Sequence, residues 1–176
     1  SKLFEDPLHR DIVMRINRIN ISLYSGMIIA VPKNFTNLTI LDVAPFPQQI
    51  SPTGDKFIYV SLKDLAFAAY DINGNLEYWG PVSGGKSYCP DIRRTCYTKT
   101  GTFSIYRKAG GKCASTKYPI GRGGAPMPYC MFFSGGFALH GSYEVPGYHA
   151  SHGCVRLFIK DAKWLNENFI MDKENI

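Results

Sequence analysis

Three of the four histidines of this 176-residue chain, His140, His149 and His152, fall within thirteen residues in the segment LHGSYEVPGYHASHGCVRL, 139–157, which also carries Cys154 and Arg156. Two chemistries use such groups. Imidazoles and a thiolate can converge on zinc, but His149, His152 and Cys154 lack an established ligand spacing, and a single Cys without a Cys-x-x-Cys partner is a poor zinc signature. Alternatively, one imidazole takes the proton of Cys154 and the thiolate attacks a carbonyl carbon. A structural cysteine among satisfied core histidines is the plain alternative, and residue types alone leave it open.

A second chemical pattern needs its context. The segment GPVSGGKS, 80–87, fits the phosphate-loop pattern, with Gly80, Gly85, Lys86 and Ser87 in the required positions. That loop works only when it opens directly into a helix whose free amides hold the phosphates. Here Tyr88-Cys89-Pro90-Asp91 follows, which is no helix opening. No nucleotide is expected.

The elements around these residues read as strands and turns. Phe57–Leu62, Leu65–Ile72 and Leu76–Trp79 form a three-strand meander over 57–83, with Asn73-Gly74-Asn75 as the hairpin turn. A loop over 84–100 precedes an expected strand at 101–106, and a glycine-rich stretch spans 110–128. Met131-Phe132-Phe133 and Phe137-Ala138-Leu139 look like two more strands around Ser134-Gly135-Gly136. Ala162, Leu165 and Phe169 recur at helical spacing, so a helix is expected over 160–168, capped by Asp161. In the first fifty residues, Val13, Ile16, Ile19 and Ile21 alternate with polar residues before Leu23–Pro32, which suits a short helix, a turn and a strand ending in proline. That stretch resembles the back half of a LysM-type glycan-binding repeat; a packing appendage is the alternative.

Composition bounds the class. With 45% hydrophobic residues the chain can bury one real core, and its 17 Gly, 11 Pro, 11 Tyr and 11 Phe suit sheets and tight turns. The net charge of +6 implies an anionic neighbour, but the basic residues are scattered without a recognition helix, so nucleic acid is not expected. No apolar run is long enough to span a membrane. The chain begins at Ser1 and shows no targeting segment, as expected of an exported protein whose leader is absent from this sequence. Five cysteines are an odd number: in an oxidising compartment four pair in one of three ways and one stays a free thiol, with five reduced thiols in a cytosolic protein as the alternative.

The segment Ser151-His152-Gly153-Cys154-Val155-Arg156-Leu157, preceded by His140-Gly141-Ser142 and followed by a helix carrying Asp161-Ala162, closely resembles the signature of the L,D-transpeptidase (YkuD-type) catalytic domain. The resemblance runs from about residue 56 to 168. Tyr59 to Trp79 resembles the family's opening meander, Pro81–Gly85 its strand end, Thr100–Phe103 its turn, and Met127-Pro128-Tyr129 its approach to the catalytic histidine. Thr100 runs directly into Gly101 without the family's proline, the His140–Cys154 interval is short, and the segments carrying Cys89, Cys96 and Cys113 are additions to the common pattern.

The resemblance implies a mainly β fold: a mixed β-sandwich with a helix after the Ser-His-Gly-Cys motif, over 56–170, beside a small α+β appendage at 1–50. It implies Cys154 as nucleophile on a peptidoglycan stem tetrapeptide, at the carbonyl between meso-diaminopimelate and D-alanine. His140 is the expected base, oriented by the Gly141 carbonyl, with backbone amides of His152, Gly153 and Cys154 as the oxyanion hole. Arg156, Tyr129 and Ser151 are expected to bind substrate, and His152 to stand behind the reacting groups. No metal and no cofactor is called for. Carbapenems are expected to acylate Cys154. The acceptor stays open: a second diaminopimelate amine, an envelope lipoprotein, a D-amino acid or water. A catalytically silent wall-binding module is the contrasting reading. A periplasmic or cell-envelope monomer is expected, with disulfides Cys89–Cys96, closing a short loop beside Pro90, and Cys113–Cys130, tying the glycine-rich loop to the strand leading to His140.

Overall fold

The structure is a computed structural model that describes residues 4–117 and 125–171; the expected glycine-rich stretch at 110–128 lies partly outside the described residues. Helix α1 is Pro7–Asn17, the strands are β1 Phe57–Ser61, β2 Ala66–Tyr70, β3 Leu76–Ser83, β4 Arg107–Lys108, β5 Met131–Ser134, β6 Phe137–Gly141 and β7 Val155–Leu157, and helix α2 is Ile159–Trp164. One mostly β, curled sheet joins them in the order β1-β2-β3-β7-β6-β5-β4. All neighbours are antiparallel except β6 and β7, which run parallel. That exception matters, because these two strands carry the histidine and lead out of the cysteine motif.

The sheet closes around one apolar cluster containing Ile58, Phe67, Val82, Ile105, Met131, Leu139, Val155 and Leu157, with Ala162, Leu165 and Phe169 packing onto it from α2 and the π-helical turn Leu165–Phe169 that continues it. Side chains alternate between faces along a strand. Phe67 and Ala69 of β2 therefore enter this core, whereas Ala68 and Tyr70 face outward under Leu41, Ala44, Phe46 and Ile50. Residues before the sheet thus cover its outer face, and the Trp79 indole N–H donates to the Ile40 carbonyl.

Several expectations are corrected. The segment 101–106 forms only a single bridge at Ser104, and the regular strand starts at Arg107, although the Tyr106 amide already bonds the Phe132 carbonyl at 3.0 Å. The expected strand ending at Pro32 does not form. Among the described residues no strand pairs with it, and the Asn17 side chain instead takes both backbone groups of Ala30, at 2.7 Å each, while Ile28 stays 96% exposed. Asp161 does not cap the second helix: Phe158 holds that position and Asp161 lies inside the helix, fully buried. Its carboxylate accepts from Arg15 Nη1 at 3.1 Å, Arg15 Nη2 at 2.6 Å and the Tyr78 hydroxyl at 2.7 Å. Helix α1, by contrast, does have a side-chain cap, Asp6, which accepts from the Leu8 and His9 amides.

Candidate active site

Register puts His140 and Cys154 on one face. In the parallel pair, Leu139 lies opposite Val155 and His140 opposite Arg156. Leu139 and Val155 point into the main core. Alternation sends Ala138, His140, Cys154 and Arg156 to the opposite face, and Cys154 indeed packs against the cluster of Met127, Cys130 and Ala138, as Cys113 does. The nucleophile candidate, just before β7, therefore lies on the same face as the base candidate on β6, two residue steps along, with its Sγ 3.6 Å from the Gly136 carbonyl oxygen.

His140 is held tightly. It is 7% exposed, and its Nδ1 lies 2.9 Å from the Gly141 carbonyl oxygen. A carbonyl only accepts, so Nδ1 carries the proton and Nε2 keeps its lone pair. The strand end is fixed in turn by the Gly141 amide, which donates to the Pro128 carbonyl at 2.7 Å. Burial, with a smaller contribution from the Arg156 charge, pushes the imidazole down to about 4 despite the Gly141 bond that favours its charged form. Burial likewise pushes the Cys154 thiol up, against the opposing pull of the Ala138 backbone and Arg156. The resting pair is thus a neutral thiol and a neutral imidazole with the correct tautomer to accept a proton.

A crossed set of backbone bonds shapes the cysteine loop. The Ser151 amide donates to the Gly84 carbonyl and the Lys86 amide to the Ser151 carbonyl, each at 3.0 Å, so the glycine-rich segment after β3 runs beside the loop and opens into no helix. Thr98, which no sequence signal singled out, joins the two: its hydroxyl accepts from the Gly85 amide and donates to the Gly153 carbonyl, both at 2.8 Å. A side chain at Gly85 would fall 1.7 Å from the Cys96 carbonyl oxygen, and one at Gly153, where φ is +128°, would meet the Phe137 ring at 2.7 Å. Both positions need glycine for close approach, and Gly153 also for its backbone conformation. The Cys89–Cys96 disulfide closes the loop that carries Asp91, whose carboxylate meets His152 Nε2 at 2.7 Å. That contact holds Asp91 below the usual carboxylate range.

Other expected site residues stand differently. Ser151 is buried, and its hydroxyl donates to the Cys154 carbonyl at 2.5 Å while accepting from the Gly153 amide at 3.0 Å. It builds the loop, and its one proton is engaged with the Cys154 carbonyl. Its oxygen engages the Gly153 amide, one of the three expected to form the oxyanion hole. The half-buried Tyr129 ring packs against the main core. Arg156 reaches Glu144 through Nη1, at 3.3 Å to the carbonyl and 3.5 Å to Oε2, and is half-buried beside His140 in the register. His149 lies to one side, its Nδ1 accepting from the Gly84 amide at 3.1 Å. Cys89, Asp91 and His152 cluster closely enough to suggest a metal, but the Cys89 sulfur is consumed in the disulfide. The second disulfide joins Cys113 to Cys130, and Cys154 is free.

Among known proteins, the profile of the L,D-transpeptidase catalytic domain (YkuD) matches residues 55–173. An L,D-transpeptidase from Xylanimonas cellulosilytica is similar in structure, at 26% identity and a TM-score of 0.60, over 73% of this chain and 63% of that one. One from Stackebrandtia nassauensis follows at 25% identity and a TM-score of 0.52, over 68% and 53%. Another, from Mycobacterium tuberculosis, shares the fold at 21% identity and a TM-score of 0.52, over 67% and 55%. This chain spans less than two thirds of those structures. No curated protein sequence matches.

Proposed function

Because the chain belongs to the L,D-transpeptidase catalytic domain family, we propose that it is a cysteine-dependent acyltransferase acting on peptidoglycan stem tetrapeptides. The observation that carries the reading is the shared sheet face of His140 and Cys154, with Nδ1 of the imidazole pinned by the Gly141 carbonyl. Nε2 takes the thiol proton as Sγ adds to the carbonyl carbon of the meso-diaminopimelate–D-alanine bond. Amides of His152 and Cys154 receive the developing oxyanion. Collapse expels the D-alanine amine, which takes the proton back from His140, and leaves a thioester on Cys154. An acceptor amine then attacks the thioester, forming a 3-3 crosslink or attaching a lipoprotein; water in that place makes the protein a carboxypeptidase or a lipoprotein-detaching hydrolase.

The resting state supports a division of labour. A neutral thiol is a weak nucleophile, and burial disfavours the ion pair that activation creates. Charge separation is therefore coupled to the oxyanion that substrate supplies, which keeps the thiol quiet when the site is empty. Arg156 stands next to both groups and suits a substrate carboxylate. The substrate, a cell-envelope location and action as a monomer belong to the same proposal; no described helix is long and apolar enough to cross a membrane.

Incubation with disaccharide-tetrapeptide muropeptides followed by mass spectrometry tests the reading. D-alanine release with crosslinked or exchanged products supports transfer, and tripeptide alone supports hydrolysis. Intact muropeptides bound without turnover would favour the wall-binding alternative and reject the enzyme.

A further inference from the structure

The loop that follows the base is held from outside the family's domain. Asn20 belongs to the N-terminal segment, and the family profile begins at residue 55. Its side-chain amide donates to the Ser142 carbonyl at 2.8 Å, its side-chain carbonyl accepts from the Val145 amide at 2.8 Å, and its own backbone amide donates to the Val145 carbonyl at 3.0 Å. Ile19 forms a bridge with Pro146, and a side chain at Gly147 would meet Ile19 at 3.2 Å, so the two segments are closely packed here. Three hydrogen bonds from one residue thus span the turn 142–145. That turn carries Glu144, the partner of Arg156, and Tyr143, which is 82% exposed.

From this we infer that Asn20 is a positioning residue for substrate: it fixes the rim that holds Glu144 against Arg156, so the N-terminal segment completes the binding surface of the catalytic domain. The inference rests on the acyltransferase reading for its kinetic part only. The reacting groups have separate anchors. His140 is fixed through Gly141 and Pro128, and the Ser142 amide donates to the Leu157 carbonyl at 2.8 Å, which ties the start of the rim to β7. Loss of Asn20 should therefore loosen the rim beyond Ser142 while leaving base and nucleophile in place, acting on KM and sparing kcat.

A matched control exists three residues earlier. Asn17 makes an analogous side-chain clamp, to Val13 and Ala30, within the N-terminal segment. Asn20→Ala and Asn17→Ala should cost similar stability, but only Asn20→Ala should raise KM for a muropeptide donor, by about tenfold with kcat within about twofold of wild type, as expected for two lost hydrogen bonds. Amide hydrogen exchange on the same proteins needs no turnover: Asn20→Ala should lose protection at 143–147 and keep it at 138–141. A wild type without turnover rejects the acyltransferase reading and leaves the exchange result to decide the rim. Unchanged exchange at 143–147, equal KM changes in both variants, or a fall in kcat at constant KM would each overturn the proposal.

Discussion

Arg15 of the first helix and Asp161 of the second share two hydrogen bonds, at 2.6 and 3.1 Å, although 146 residues separate them and both side chains are fully buried. The guanidinium also donates to the Trp79 carbonyl and to the Tyr78 hydroxyl, which itself donates to Asp161. Burial by itself would push the guanidinium down, but Asp161, Tyr78 and Asp11 outweigh it and hold Arg15 above its ordinary value. Helix α2 starts against β6, where a side chain at Gly141 would lie 3.0 Å from Ile159 Cα. The pair therefore fastens the N-terminal helix to the element behind the base.

Removing one partner of such a pair leaves a dehydrated charge. Arg15→Ala should destabilise the protein by roughly 3 to 5 kcal/mol, read as a lower midpoint in urea unfolding. A loss below about 1 kcal/mol, the range of an exposed ion pair, would mean that the contact is solvated.

Acid should weaken the fold through His140. An unfolded imidazole takes its proton near 6.5, whereas in the fold His140 is pushed down to about 4. Between those values the unfolded chain binds the extra proton, so stability is whole above the upper value and falls as pH drops towards the lower one. The interval is worth roughly 3 kcal/mol. Urea titrations of wild type and His140→Gln should diverge over that window; parallel curves would show His140 titrating normally.

Cys154 should react slowly when the site is empty. Its thiol is pushed above the ordinary value, chiefly by burial, so iodoacetamide alkylation at neutral pH should be slower than for a free cysteine and climb through the alkaline range. Fast alkylation at neutral pH would indicate a preformed thiolate.

With four cysteines paired, denatured and unreduced protein should give one free thiol. By the loop-closure argument, Cys89→Ser with Cys96→Ser should cost about 2 to 3 kcal/mol and release the loop that holds Asp91 to His152. Five free thiols would contradict the pairing.

Much of the sheet was legible because β1 to β3 are rich in apolar and aromatic residues and turn at Asn73-Gly74, and because the His140 and Ser151–Leu157 segments carry a dense pattern. The rest depends on contacts that no local pattern encodes. Asp161 reads as a helix cap until its partner, Arg15, arrives from the other end of the chain. Nothing in the local pattern shows that the Ser151 hydroxyl closes its own turn. Tyr129 reads as a substrate ligand until its ring is found packed against the main core. Thr98 and Asn20 are ordinary polar residues whose roles come from the backbones folded against them.

Base and bystander should separate by mutation. His140→Ala should lose most D-alanine release, since no other imidazole shares the face of Cys154 in the β6–β7 register. His149→Ala should not, because that ring is engaged with Gly84. Equal losses at both would reopen the metal reading.

The thioester on Cys154 is the central claim, and intact-protein mass spectrometry of an acid-quenched reaction with a disaccharide-tetrapeptide reads it directly. One adduct with the mass of the substrate minus D-alanine is predicted, mapping to Cys154, removed by hydroxylamine and absent from Cys154→Ala; a carbapenem should give a single adduct at the same residue. Release of D-alanine by the Cys154→Ala protein, or an adduct that survives this substitution, would contradict the account.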